Sequence, residues 1–254
     1  MALQFGVISA DDHIQEPPDL WTRCMSGAKW GDRIPHVVHQ DDGTERWVIE
    51  GKVRAGSSFA PTGALSADRR TEPQTWSQVP EAAWNPPARL RAMDSDRVDC
   101  SVLYPTVAGV SGEVVGAIKD LDLQIECARV YNDWVMDVWS AASPRFIPQA
   151  ILPVGSIEAA AAEAKRAVGR GHKGAIMPAQ PSQINSAAPH LYTQAWDPLW
   201  ETLQELGVPI CFHSGSAPSA LFDISPTYNA ATAAAFDSVR QPAGSAALIN
   251  GMVL

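Results

Sequence analysis

An aspartate and a histidine two residues apart, Asp11 and His13, follow the apolar run Phe5 to Ala10 (FGVISA). Alternate residues of a strand point to one side, so Asp11 and His13 share a face where the chain is extended. A carboxylate and a neutral imidazole side by side offer two donor atoms to a divalent metal ion. A third donor, His213, directly follows a second apolar run, VPICF, and precedes Ser214-Gly215-Ser216. In parallel βα folds ligands bind at the C-terminal edge of the sheet, which is where both runs end. Each pattern also has an ordinary reading: Asp11 caps a turn, His13 is a polar loop residue, and His213 is a hydrogen-bonded core histidine. The shared edge is the argument for a three-ligand site of Asp11, His13 and His213, and the ordinary readings stay open beside it. Tyr104 ends the run CSVLY at the same edge, where lining a substrate pocket and simple packing fit equally well. No residue is assigned a catalytic role from spacing.

Other matches fail on context. Gly169-Arg170-Gly171-His172-Lys173-Gly174 fits G-x-G-x-x-G, but it follows a helical pattern and precedes a strand. A phosphate cradle needs the strand first, so that the helix N-terminus faces the phosphates. No G-x-S-x-G elbow or Walker loop is present. Ser214 and Ser216 next to His213 do not make a triad, which is a matter of geometry and not of adjacency. His36, His39, His172 and His190 fall in loops or turns and are expected to be solvated.

The elements that must position these residues alternate. After a first strand, residues 26–85 form a long Gly-, Pro- and Trp-bearing insertion with Trp30, Trp47, Trp76 and Trp84. Within it Arg46 to Arg54 reads as a hairpin turning near Glu50-Gly51. A loop of this size is expected to be a lid or binding loop, or to carry a small core of its own. Helices are expected from Pro86 to Arg97, and from Leu121 to Ala141 with Ile125, Ala128, Val135, Val138 and Trp139 facing inward. Further helices are expected from Ser156 to Gly169 with Ser156 as its cap, and from Trp196 to Leu206 with Gly207 ending it. Strands are expected at Cys100–Tyr104, Phe146–Leu152, Lys173–Met177 and Val208–Phe212. The tail, Asn229 to Leu254, is helical in pattern. Five strands alternating with helices predict parallel βα units, as in a doubly wound sheet or part of a (β/α)8 barrel.

Composition narrows the function classes. The 254 residues are 46% hydrophobic and 19% charged, with a formal net charge of −9. That excess of acid argues against nucleic acid or an anionic membrane as partner. No apolar run reaches the roughly 20 residues that cross a bilayer. The start, MALQFGVISADDH, lacks a basic region and a long apolar core, so no signal peptide is expected. Cys24, Cys100, Cys127 and Cys211 are widely spaced, as expected of buried thiols in a reducing, cytoplasmic compartment.

Four segments carry a family resemblance: ISADDHIQEPPDLW (8–21), RLRAMDSDRVDCSVLYPT (89–106), YNDWV (131–135) and WDPLWETLQELGVPICFHSG (196–215). They resemble the amidohydrolase superfamily, in particular the branch of aminocarboxymuconate-semialdehyde decarboxylase and the resorcylate and carboxyvanillate decarboxylases. The resemblance implies an α/β fold, a distorted (β/α)8 TIM barrel with one divalent metal at its C-terminal face. It places the first-strand pair, acid-x-His here, on Asp11 and His13, and the fifth-strand histidine on His213. An acid in first place is compatible with zinc or manganese, and a hard carboxylate leans to manganese. The family's further aspartate after the eighth strand and its histidine after the sixth have no counterpart before Leu254. The expectation is therefore one partial barrel domain, residues 1–254, holding the first five βα units with the insertion or lid at about 26–85. The implied activity is that of a metal-dependent lyase or hydrolase, decarboxylase-like, on a carboxylated aromatic or related small molecule. Hydrolysis of an amide or lactone, or an inactive remnant serving as an interaction module, are the alternatives. An unpaired strand edge makes a homodimer a further expectation.

Overall fold

The computed structural model describes residues 6–54, 59 and 73–213. Along the chain the elements run β1 (Ile8–His13), α1 (Leu20–Cys24), α2 (Gly27–Trp30), β2 (His36–His39), β3 (Glu45–Ile49), β4 (Lys52–Val53) and α3 (Pro86–Asp96). They continue β5 (Cys100–Tyr104), α4 (Glu113–Gly116), α5 (Leu121–Trp134), β6 (Phe146–Ile151), α6 (Ile157–Arg170), β7 (Gly174–Ile176), α7 (Pro181–Ile184), α8 (Asp197–Leu206) and β8 (Ile210–Cys211). The helical pattern from Asn229 onward lies outside the described residues.

Five strands form one all-parallel sheet in the order β1-β5-β6-β7-β8, so each strand lies beside the next one of that sheet in sequence. In a flat sheet β1 and β8, four spacings apart, stand about 19 Å from each other. The rings of His13, at the end of β1, and His213, just beyond β8, nevertheless bring their Nε2 atoms within 3.1 Å. The sheet therefore curls, and five sequential parallel strands with helices between them form part of the wall of a (β/α)8 barrel.

The inner strands β5, β6 and β7 are buried almost throughout, as the apolar runs predict. β1 differs from its expectation on two counts. It starts at Ile8 and carries Asp11, Asp12 and His13 inside the strand, and it is largely exposed, with Ile8 at 51%. Among the described residues no strand pairs with β1 on its outer side. At the other edge β8 is only Ile210–Cys211, shorter than the run VPICF and partly buried. Pro209 brings no N–H to extend it.

Two apolar clusters fill the space around the sheet. In one, Leu103, Ile151 and Ile176 from the strands meet Leu123, Cys127, Tyr131 and Trp139 from the long α5 helix and its extension. In the other, the alanine face of α6 packs with Leu199 and Leu203 of α8 and with Ala175 of β7. Ser156 caps α6 by accepting the Ala159 N–H at 3.2 Å, and Gly207 at φ 65° ends α8, both as expected. Beyond Trp134 the α5 helix widens into a π-helical stretch, Val135–Ser140, that buries Trp139 and leaves Val138 39% exposed. The wider turn rotates the inward face away from Val138, which the even helical spacing had placed inside.

The described part of the insertion carries a small antiparallel sheet of its own. The hairpin turn falls at Glu50 and Gly51, both with positive φ (53° and 74°), as the Glu-Gly pair suggests. β2 adds an unforeseen third strand to it. Trp30 and Trp47 bury in the main core, while Trp76 and Trp84 gather around Phe59 in a small cluster of their own. All four cysteines are free, and Cys100 and Cys127 are buried as expected. Cys24 is exposed, contrary to that reading. Among the described residues no helix is long and apolar enough to cross a membrane.

Candidate metal centre

β1 pairs with β5 as Ile8↔Cys100 and Ser9↔Ser101, then as Asp12↔Leu103 and His13↔Tyr104, so one extra residue bulges out between Ser9 and Asp12. A bulge re-aims the side chains beside it. Here Asp11 Oδ1 comes to 3.4 Å from His13 Nε2 and 2.9 Å from His213 Nε2. With the 3.1 Å between the two imidazole nitrogens, the triangle is closed, and one donor atom from each residue lies within 4.8 Å of the others. The structure thus brings Asp11, His13 and His213 together at the C-terminal edge of the strands. Among the described residues no second group of three such donors is found. Asp12, the other acid of the pair, is turned elsewhere. It accepts a short hydrogen bond from Ser101 Oγ and lies 3.8 Å from Arg89 Nη1.

The surroundings prepare the donors. His13 Nδ1 is 2.8 Å from the Pro105 carbonyl, which can only accept, so the ring carries its proton there and keeps a lone pair on Nε2. The His213 N–H donates to Ser111 Oγ at 2.9 Å. Arg89, nearly buried, donates to the carbonyls of His13 (2.7 Å) and Ala82 (2.6 Å) and so ties the end of β1 to α3. When their Nε2 atoms carry protons, the imidazoles, His13 first and His213 second, hold the Asp11 carboxyl well below the usual carboxylate range. Tyr104 has its ring 6.1 Å from that of His13 and 5.6 Å from that of His213. Burial, reinforced by Cys211, pushes its hydroxyl up, so it stays protonated. An ionised carboxylate and two imidazole nitrogens converging on one point fit a divalent ion.

The other histidines stand apart from the site. His172 corrects the expectation of a solvated turn residue: it is 2% exposed and its Nδ1 donates to the Ala167 carbonyl at 3.0 Å. His36 donates to the Ile34 carbonyl, His39 is exposed beside Glu45, and exposed His190 stacks on Tyr192. The rejected glycine pattern does run from the end of α6 into β7. Arg89, Pro105 and Ser111 had no signal in residue type or spacing, because each acts on the site through a backbone group or a loop.

The fold and the site define a class, a (β/α)8-type barrel with a candidate metal centre at the C-terminal edge of its strands. The chain belongs to the amidohydrolase family, whose model matches residues 35–241. His213 lies inside that match, and Asp11 and His13 precede it. A gamma-resorcylate decarboxylase from Polaromonas sp. (strain JS666 / ATCC BAA-500) is 34% identical over 128 residues, 49% of this chain and 37% of the relative. The fold is similar to that of an amidohydrolase from Mycobacterium avium subsp. paratuberculosis K-10, with a TM-score of 0.64 and 24% identity over 84% of this chain and 59% of the other. It is also similar to a dihydroxybenzoic acid decarboxylase from Polaromonas sp. JS666 solved with manganese and 2-nitroresorcinol. That match has a TM-score of 0.52 and 21% identity over 83% of this chain and 49% of the other. The chain thus spans less than two thirds of the length of each of these three proteins.

Proposed function

We propose that the protein is a metal-dependent carboxy-lyase acting on a small carboxylated aromatic molecule, with Asp11, His13 and His213 holding one divalent ion. The observation that carries this reading is the convergence of the three donor atoms within 4.8 Å at the ligand-binding edge of the barrel wall. Similarity to a gamma-resorcylate decarboxylase supports the substrate class. A divalent ion held there would supply Lewis acidity toward the negative charge that develops on loss of carbon dioxide. The chain's own residues prepare that role. Asp11 stays ionised, the Pro105 carbonyl keeps His13 in the Nδ1–H form, and Tyr104 sets its aromatic ring beside both imidazoles with its hydroxyl neutral. Manganese is favoured over zinc by the carboxylate donor and by the manganese in the Polaromonas decarboxylase structure.

Elemental analysis of gel-filtered protein, followed by a carbon dioxide release assay on 2,6-dihydroxybenzoate, tests both parts. About one manganese or zinc per chain is expected, as for a single three-ligand site. The ion should be lost in Asp11→Asn and His213→Ala, with carbon dioxide released only by the metal-loaded protein. Failure to take up either metal on titration ends the metal-centre reading. A metal-loaded protein that hydrolyses a lactone or amide and releases no carbon dioxide ends the lyase reading and leaves a hydrolase.

A further inference from the structure

Glu16 lies three residues beyond His13, yet it is wholly buried. A carboxylate in such a place requires a compensating set of donors. The backbone after β5 provides them. The Val107 N–H donates to Oε2 at 2.9 Å, the Ala108 N–H donates to Oε1 at 3.0 Å, and the Thr106 N–H is 3.3 Å from both oxygens. Three successive N–H groups turned onto one carboxylate form a small anion nest. The same loop touches the candidate metal centre twice. At its start the Pro105 carbonyl takes the His13 Nδ1–H, and near its end Ser111 Oγ takes the His213 N–H. Between them Glu113 accepts the N–H groups of Val110 and Ser111 at 3.1 and 2.8 Å, fixing the second half of the loop. Gly109 permits the fold-back, since its φ is 94° and a Cβ there would sit 2.5 Å from the Glu113 carboxylate.

We propose that Glu16 is a positioning residue for the metal centre: by gathering the backbone of Thr106–Ala108 it sets the loop that orients His13 and His213. The inference rests on the metal-centre reading above. A buried acid that merely holds the fold together would affect stability alone. A positioning residue also governs which nitrogen of His13 carries the proton, and how tightly the three donors take an ion. Outer-layer partners of metal-ligating histidines govern affinity by about tenfold to a hundredfold. In Glu16→Gln, the side-chain amide turns N–H groups toward backbone N–H groups, so the nest opens while the volume is kept.

The test uses the full chain and three variants. Nitrogen NMR of the imidazoles, which needs no metal, is expected to show His13 as a single Nδ1–H tautomer in the wild type and as a mixture in Glu16→Gln. Manganese(II) affinity, read by competition with a chromophoric chelator, should fall about tenfold or more in that variant. Glu163→Gln is the control: Glu163 is another buried acid, bound to Asn132 and Arg166 and to none of the three donors. It should lose stability and keep both readouts. A folded Glu16→Gln with the wild-type tautomer and wild-type affinity overturns the proposal. Should Glu16→Gln fail to fold, Ser111→Ala decides, with several-fold weaker manganese binding and faster exchange of the His213 amide expected, and unchanged values overturning it. If the wild type takes up no manganese, the metal reading falls by itself, and the His13 tautomer and His213 amide still judge the role of Glu16 and its loop.

Discussion

His172 shows how much a single buried side chain can govern. Its ring is 2% exposed, and burial holds its pKa down to about 4 against an ordinary 6.5, with the Ala167 hydrogen bond opposing the shift. Above pH 6.5 both folded and unfolded chains carry it neutral, so its contribution is complete. Between pH 6.5 and about 4 the unfolded chain binds a proton that the folded one refuses, and stability falls. Below about 4 both are charged and the loss levels off. The interval corresponds to about 3 kcal/mol. Urea unfolding of wild type and His172→Asn across this range is expected to show a steeper acid loss in the wild type. Parallel profiles would mean the ring titrates normally. Sequence placed His172 in a turn after a helix, which is correct, but the depth of a turn depends on what packs over it. By contrast Asp11, His13 and His213 were legible, because residue type and strand-end position are both sequence properties. Glu16 was not: a lone acid after a strand looks solvated until the loop that surrounds it is known.

At the scale of elements, β5 pairs with β6 only as far as Leu103↔Pro148. Further along, Asn132 of α5 does the pairing: its Oδ1 accepts the Ile151 N–H at 2.9 Å and its Nδ2 donates to the Ile151 carbonyl at 3.1 Å. The same amide donates to Glu163 Oε1 at 2.7 Å, tying α5 to α6. Asn132→Ala leaves buried backbone groups without partners, an expected loss of about 2–4 kcal/mol from roughly 1–3 kcal/mol per orphaned group. Equilibrium urea unfolding measures it, and a loss within about 0.5 kcal/mol would show that water replaces the amide. Element types were readable wherever the apolar period was unbroken, as in β5, α6 and α8. The errors lie where tertiary context overrides local pattern. An outer strand is exposed however apolar its sequence, and a π-helical stretch moves Val138 outward. The tryptophans of the insertion belong partly to the main core, because Trp47 packs edge-on against Trp21 of α1 and Trp30 donates its ring N–H to Glu126 of α5, a fact of folding that composition does not carry.

Over the whole molecule the candidate metal centre joins the two outermost strands of the sheet. Asp11 and His13 belong to β1, His213 follows β8, and the curvature of the three intervening strands and the loop after β5 bring those ends together. An ion bound there acts as a staple across the mouth of the curled sheet, and it brings positive charge to a chain of formal net charge −9. Because the unfolded chain does not assemble the three donors, binding adds directly to folding stability. At free manganese a hundredfold above the dissociation constant the gain is about 2.7 kcal/mol. For a chain of this size that corresponds to roughly 5–10 °C in Tm. The gain should vanish with chelator and in His213→Ala, and amide exchange should slow at both β1 and β8 in the metal-loaded wild type. Slowing confined to β1, or an equal rise in Tm in His213→Ala, would place the ion away from His213 and deny the centre its role in holding the two edges together.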